Sequence, residues 1–378
     1  MSYESVDKLQ NALGKKVFYY TKDKKKAAGR ALGTMVEIIS YYLLKTWGFN
    51  NSISIERGLV EYGNDEISHN VEYSLHPIIA EYKIDIENDG TSITATKILK
   101  ELENKTDISK FSRKNNNLLN THNVLRNACT IAESETSFLL VSFKQAGIKS
   151  HKLSIFEQMQ KSYAIFECKR VGVEEGAKKG PQTIEKAKQG AYVARTASSL
   201  QKIRTDSGEK VGIIYRNNNK PYIKPYVELL EEIIYSDDIQ LLQKFILTVG
   251  VVSNHGNWFT AENHNKELKV LAESYDWLIF LTDNGLAQFI DDLLLNPNQE
   301  YIKIQEAFKS SYSADKKRNV FTKVRMDFEA DRLLLKYFSN KLRSIEKWFN
   351  VITPKKRSIE ELKKELQELR SKNWEEIR

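Results

Sequence analysis

The chain of 378 residues carries only two cysteines, Cys129 and Cys168, neither at metal-ligand spacing and too few to build a disulfide framework. That usage suits a reducing cytoplasm. No apolar run reaches membrane-spanning length, and the opening Met1-Ser2-Tyr3-Glu4 begins no signal peptide, so a cytoplasmic chain without a membrane partner is expected. The phosphate-cradling G-x-x-x-x-G-K-[ST] loop is absent, as is a G-x-G-x-x-G turn after a strand, which removes the nucleotide-binding classes built on them. Internal repeats and low-complexity segments are missing too. Aspartate does not occur anywhere between Asp107 and Asp206.

What is present is basic charge. The formal net charge is +8 and the isoelectric point is near 9.0, although acids are also plentiful. Such a balance favours a polyanionic partner and bears on association, not on fold. The length is enough to bury a large core in one big domain or two smaller ones.

The chain is organised around Ser162 to Lys202. Tyr163-Ala164-Ile165-Phe166 is a short aromatic and β-branched run of the kind that forms a buried strand, and it continues into Glu167-Cys168-Lys169-Arg170. Residues two apart on a strand share a face, so Glu167 and Lys169 emerge side by side. Charged groups at the end of a buried strand carry a desolvation cost that asks for a reason. Pro181 then stands at a first helical position, and a helical pattern follows from Gln182 to Ser199. Other E-x-K triplets start at Glu81, Glu103, Glu267 and Glu361. Three of those lie in polar helical patterns, where the charges are solvated. Glu81-Tyr82-Lys83 is strand-like, but it runs into Asn88-Asp89-Gly90, a hairpin signal that supplies no covering helix.

Glu167-Cys168-Lys169, on a strand followed by a basic helix, resembles the E-x-K half of the PD-(D/E)xK nuclease superfamily, and the chain is most similar to a type II restriction endonuclease. The resemblance covers about 28–199. It implies an α/β fold with a mixed central sheet flanked by helices; the composition changes to charged helix formers after Asn296-Pro297-Asn298, so a nuclease core is expected over 1–296 and a helical C-terminal region over 297–378. It implies Mg²⁺ as cofactor, held by Glu167, by the carbonyl of Cys168 and by a further acid, with Lys169 orienting the attacking water. Glu37, one turn after Gly33 on the first core helix, resembles the superfamily's helix-borne acid. The remaining acid is expected upstream on the strand paired with the E-x-K strand, a register that falls on Ser154. A hydroxyl is a poor Mg²⁺ ligand beside a carboxylate. Either the acid comes from elsewhere (Glu157, Glu135, Asp85 or Glu87), or Ser154 stands for an aspartate in an inactivated chain, or the register is shifted. Gln189 and Tyr192 share one helical face, and by resemblance they touch the cleaved strand's phosphate or hold the lysine. Double-stranded DNA, a homodimer and a companion DNA methyltransferase are the partners implied.

Other stretches fit that reading at the level of charge. Lys178 and Lys179 lie in a glycine-flanked basic loop and Lys186 on the helix after it, suited to salt-sensitive phosphate contact. An insertion around 100–130 carries Lys110, Arg113, Lys114 and Asn115-Asn116-Asn117; it reads either as a surface helical segment or as a DNA contact, since Arg and Asn pair with guanine and adenine edges. Strands are predicted at Ser137–Phe143, Lys149–Phe156, Val211–Tyr215, Phe245–Val252 and Trp277–Leu281. In the C-terminal region Ile359, Leu362, Leu366 and Leu369 form an apolar stripe that packs on the chain's own body or meets a second subunit. The stretch His255–His264 has a superficial likeness to an HNH nuclease, but the elements around it do not match a hairpin-plus-helix site. Two further readings stay open: a repair or recombination nuclease of the same fold, and a DNA-binding protein that has lost the catalytic site.

Overall fold

The computed structural model describes residues 6–59, 69–172, 190–216, 218–255, 266–312 and 319–377. The buried apolar run after Ser162 does form a central strand, and the largest sheet is laid out around it. That sheet has six strands: β1 (Ile53–Arg57), β2 (Val71–Leu75), β11 (Ala164–Gly172), β15 (Leu247–His255), β16 (Trp277–Leu281) and β18 (Phe349–Thr353), in that spatial order. β1 pairs antiparallel with β2 and β2 with β11, whereas β11, β15 and β16 run parallel. Parallel neighbours need long crossovers with covering elements. The crossover from β11 to β15 holds a helix over 190–197, here α4, a three-stranded antiparallel sheet of β12 (Gln201–Arg204), β13 (Lys210–Tyr215) and β14 (Pro221–Pro225), and helices α5 (Tyr226–Tyr235) and α6 (Ile239–Leu242). The class is α/β.

Helix α1 (Val6–Lys16) precedes α2 (Lys24–Leu44), the longest helix, whose first turn is capped by Asp23 accepting from the Lys26 amide at 2.9 Å. Most of α2 is buried, because it lies between the six-stranded sheet and the C-terminal helices. After β2 the chain leaves the sheet and returns only at Ser162. The excursion builds a second sheet of β3 (Ile78–Glu87), β10 (Ser150–Met159), β9 (Ser137–Gln145), β8 (Cys129–Glu133) and β5 (Ser112–Arg113), with α3 (Ala95–Glu103) packed on it over a separate apolar cluster. Its base is pinned by His76, fully buried, which bonds Ser74 Oγ through Nε2 at 2.7 Å and the Met159 carbonyl through Nδ1 at 2.9 Å. A small sheet of β17 (Arg325–Asp327), β7 (Val124–Arg126), β6 (Asn117–Leu119) and β4 (Ile93–Thr94) joins this excursion to the C-terminal part of the chain.

The structure departs from the sequence reading in three places. The predicted hairpin at Asn88-Asp89-Gly90 does not close on itself: β3 pairs with β10 and β4 with β6. The region around 100–130 is mainly short strands, not a surface helix. The region 297–378 is not purely helical, because β18 completes the main sheet against β16. Among the described residues, α7 (Lys266–Ser274), α8 (Asp283–Ile290), α9 (Ile302–Ser311), α10 (Phe328–Glu346), α11 (Ile359–Ser371) and α12 (Trp374–Ile377) complete the helices. The stripe Ile359, Leu362, Leu366 and Leu369 on α11 is buried in the same core as α2 and the sheet, so it packs on the chain's own body and not on a second subunit. No helix among the described residues is long and apolar enough to cross a membrane.

Candidate active site

Glu167 leaves the face of β11 opposite the apolar face that holds Phe166 and Cys168, as strand alternation requires. It is 1 % exposed, yet neither carboxylate oxygen has a hydrogen-bond partner among the described residues. Lys169 Nζ stands 3.2 Å from its Oε2, close enough to attract but not aligned as a hydrogen bond, and His69 Nε2 lies 3.8 Å from its Oε1. Burial raises the Glu167 carboxyl to about 6, against the pull of Lys169, and the Glu37 charge adds to the rise. Burial, then the nearby Lys169 and Lys323, lowers His69, which is therefore neutral near pH 7.

The second acid of the site is Glu72. The ladder between β2 and β11 runs from Leu75–Ala164 to Tyr73–Phe166 and stops there, one residue short of Glu72 and Glu167. Continuing the register sets these two carboxylates opposite each other where the strands part. Like charges opposite one another across a strand pair are unfavourable and call for a cation between or beside them. Glu72 is buried, its Oε1 contacts Lys323 Nζ, and it makes no aligned hydrogen bond there. Glu37 arrives from α2, where its own carbonyl accepts from Tyr73 Oη at 2.8 Å and its Oε2 lies 3.4 Å from Lys323 Nζ. Burial raises the Glu37 carboxyl, with Lys323 and Lys169 opposing the shift and Glu56 reinforcing it. Glu56 on β1 completes the group, 3.1 Å from Lys323 Nζ.

The back of the site is closely packed. Glu167 pairs with Gly250 on β15, and the Tyr275 ring lies over that glycine: a Cβ there would come within 2.7 Å of the ring. Lys202 on β12 holds the turn that carries Tyr275, donating to the Tyr275 carbonyl at 2.7 Å and to the Ala272 carbonyl at 3.1 Å.

Of the residues singled out in the sequence, Glu167, Lys169 and Glu37 come together. Ser154 does not. It sits on β10 in the second sheet, paired with β3 and β9, and its hydroxyl donates to Glu81 Oε1 at 3.0 Å. The strand antiparallel to the E-x-K strand is β2, so the register that led to Ser154 counted along the wrong strand. Glu157, Asp85 and Glu87 also belong to the second sheet, and Glu135 to the turn between β8 and β9. The Cys168 thiol faces the core and is pushed up by burial, leaving only its backbone to face the site. Tyr192 is on α4 and half exposed. Gln189, Lys178, Lys179 and Lys186 lie outside the described residues. Arg113 is exposed and donates to Thr96 Oγ1 at 3.0 Å, and Lys114 pairs with Glu133 at the surface. Beside them, a polar cleft of about 410 Å³ is lined by Asn115, Asn117, His122, Arg126, Asn319 and Arg325 among others, with no carboxylate among the described residues of its wall.

Glu72, Glu56, His69 and Lys323 were missed by the sequence reading, since none sits in a motif. Among the described residues no three His, Cys, Asp or Glu side chains converge as a ready metal cage. The buried Glu167 carboxylate, with neither oxygen hydrogen-bonded among the described residues, and the buried Glu72 opposite it nonetheless suit Mg²⁺, which keeps several waters and takes only one or two carboxylates from the protein. Comparison with protein-family models, with curated proteins and with solved structures finds no match.

Proposed function

We propose that the chain is a Mg²⁺-dependent endonuclease acting on double-stranded DNA, of the type II restriction kind. The observation that carries the reading is Glu167, a buried carboxylate whose two oxygens have no hydrogen-bond partner among the described residues, opposed by the buried Glu72 that meets Lys323, with Lys169 emerging beside Glu167. The fold is compatible with it: α2 with Glu37, the antiparallel β1, β2 and β11, and α4 crossing to the parallel β15 form a mixed sheet flanked by helices, as the PD-(D/E)xK resemblance implies.

In this reading Glu72, Glu167 and the carbonyl of Cys168 hold the metal, which supplies a Lewis acid for a phosphate oxygen and a more acidic bound water. Lys169, two residues from Glu167 and a quarter exposed, positions the attacking water and offsets the charge that builds up on the phosphorane-like transition state. Glu167 is raised by burial only to about 6 and is ionised at neutral pH, as a ligand must be. Tyr275, Gly250 and Gly190 exclude water from behind it. The basic balance of the chain and the cleft lined by Asn and Arg fit a duplex partner, the cleft offering the side chains that pair with purine edges. A homodimer on a two-fold site and a companion methyltransferase belong to the same proposal.

Digestion of a long duplex in Mg²⁺ tests it, with Glu72→Gln and Glu167→Gln as controls. Discrete fragments from the native chain, lost in both variants, are expected. Structure-dependent nicking without discrete fragments would instead point to a repair nuclease. A non-catalytic DNA binder is the second reading, favoured by Lys323 lying among the acids. It predicts a gel shift with no cutting.

A further inference from the structure

Lys323 is the odd member of the acidic group. Its side chain is 8 % exposed and meets three carboxylates from three different elements: Glu37 of α2 at 3.4 Å, Glu56 of β1 at 3.1 Å, and Glu72 of β2 in contact. One ammonium is thus met by three carboxylates. We propose that Lys323 is a built-in cation that fills the second cation position of the site, so that the site takes up one divalent ion and not two. The inference rests on the metal-dependent reading above and specifies how its ion site is limited.

Three observations carry it. First, the lysine is placed, not incidental. Its carbonyl accepts from Asn127 Nδ2 at 3.0 Å and the next carbonyl, of Val324, accepts from the Asn127 amide at 2.9 Å, so the excursion between β2 and β11 clamps the segment that delivers it. Second, Glu56 is turned toward it at a cost in backbone freedom. Glu56 has φ of 51°, a left-handed conformation that non-glycine residues seldom adopt, and it interrupts the β1–β2 ladder between Ile55–Tyr73 and Arg57–Val71. Strain of this kind persists where the surroundings hold it in place. Third, the charges do not balance without an ion. Four carboxylates (Glu37, Glu56, Glu72 and Glu167) face the two ammonium groups of Lys169 and Lys323, and the buried Glu167 oxygens are still without hydrogen-bond partners among the described residues. The excess of negative charge equals one divalent ion. Removing Lys323 would enlarge it, and uncompensated buried charge is strongly destabilising.

The test counts bound Mn²⁺ on the full chain by calorimetry and by electron paramagnetic resonance of the free ion, with thermal midpoints recorded in EDTA and in Mn²⁺. The native chain and Lys323→Arg are expected to bind one ion each. Lys323→Met is expected to melt lower in EDTA, to recover in Mn²⁺ and to bind two. Should Lys323→Met fold only when Mn²⁺ is present, that supports the proposal as well, because the ion then replaces the ammonium. Failure to fold in either condition, beside a folded Lys323→Arg chain, overturns it, as does one ion in both the native chain and Lys323→Met. A native chain that binds two ions overturns the role of Lys323 and leaves the metal-dependent reading standing. A native chain and Lys323→Met that both bind none remove that reading and this inference together.

Discussion

Gly190, in the helix that crosses from β11 to β15, lies so close to Glu167 that a Cβ on it would stand 3.1 Å from Glu167 Cγ and 2.8 Å from Tyr275 Oη. The helix, the acid and the tyrosine therefore share one packed layer, and the position of the carboxylate is set by a contact that only glycine permits.

Gly190→Ala is expected to destabilise the chain by about 1–3 kcal/mol, the usual cost of overpacking a fitted site, and to lower cleavage by displacing Glu167. Truncating the opposing hydroxyl with Tyr275→Phe should return part of that loss in the double variant. Denaturant midpoints of the two single variants and the double variant measure the coupling. Strict additivity would show that the three groups are not packed as one layer.

A second expectation concerns pH. The Glu167 carboxyl is raised to about 6 from its ordinary 4.5, so the native state holds this proton longer than the unfolded chain does. Stability from this group is then greatest below the ordinary value, falls as pH rises through the interval, and stays low above about 6. The gap corresponds to about 2 kcal/mol. Glu167→Gln in EDTA should be more stable than the native chain by about that amount above the interval, with the difference vanishing below it. Denaturation at a series of pH values in EDTA reads the difference directly. Equal stability of the two chains at alkaline pH would mean that the acid is not desolvated.

How much of this was legible in the sequence depends on distance along the chain. Glu167 and Lys169 were found because a strand's alternation is local: the apolar run before them and the helix after them lie within a single stretch. The acid on α2, Glu37, is singled out only by its resemblance to the helix-borne acid that follows a glycine, since its helical pattern alone reads as a solvated charge. Glu72 is not. The chain leaves the main sheet after β2 and builds a whole second sheet before it returns to β11, so counting back from Glu167 lands on β10, at Ser154, in a different sheet. Strand pairing across such an excursion is a tertiary fact with no local signal. The same holds for Lys323, which reaches the acids from beyond the last parallel strand, and for Glu56, whose left-handed backbone no neighbouring residue type announces. The α11 stripe was legible as apolar but not as to its partner, because periodicity names a face and not what covers it.

Ser154→Asp should leave cleavage and metal binding unchanged, since residue 154 lies outside the site. It would set a second carboxylate against Glu81, now 3.0 Å from the serine hydroxyl, and lower stability by about 1 kcal/mol or less, in the range of like charges on neighbouring strands. Glu72→Gln should abolish cleavage as completely as Glu167→Gln. Parallel plasmid digests and melts of the three variants check both halves. A gain of activity in Ser154→Asp would reinstate residue 154 as a ligand.

The last prediction concerns sequence reading. Arg126 on β7 and Arg325 on β17 come from paired strands and line the same cleft as Asn115 and Asn117, with no carboxylate among the described residues of its wall. Arginine held this way can present two donors to the O6 and N7 atoms of guanine, and asparagine can pair with adenine, whereas lysine contacts to phosphate carry no sequence information. Arg126→Ala and Arg325→Ala are each expected to weaken binding to the preferred duplex by about 1–3 kcal/mol while changing binding to random duplex little, so that discrimination narrows at one base pair. Arg113→Ala, which frees only a bond to Thr96, should alter affinity for both duplexes to the same small extent. Gel shifts in Ca²⁺ with a preferred and a scrambled duplex separate the two patterns. Equal losses on both duplexes for Arg126→Ala and Arg325→Ala would make the cleft a phosphate contact and move base reading elsewhere in the chain.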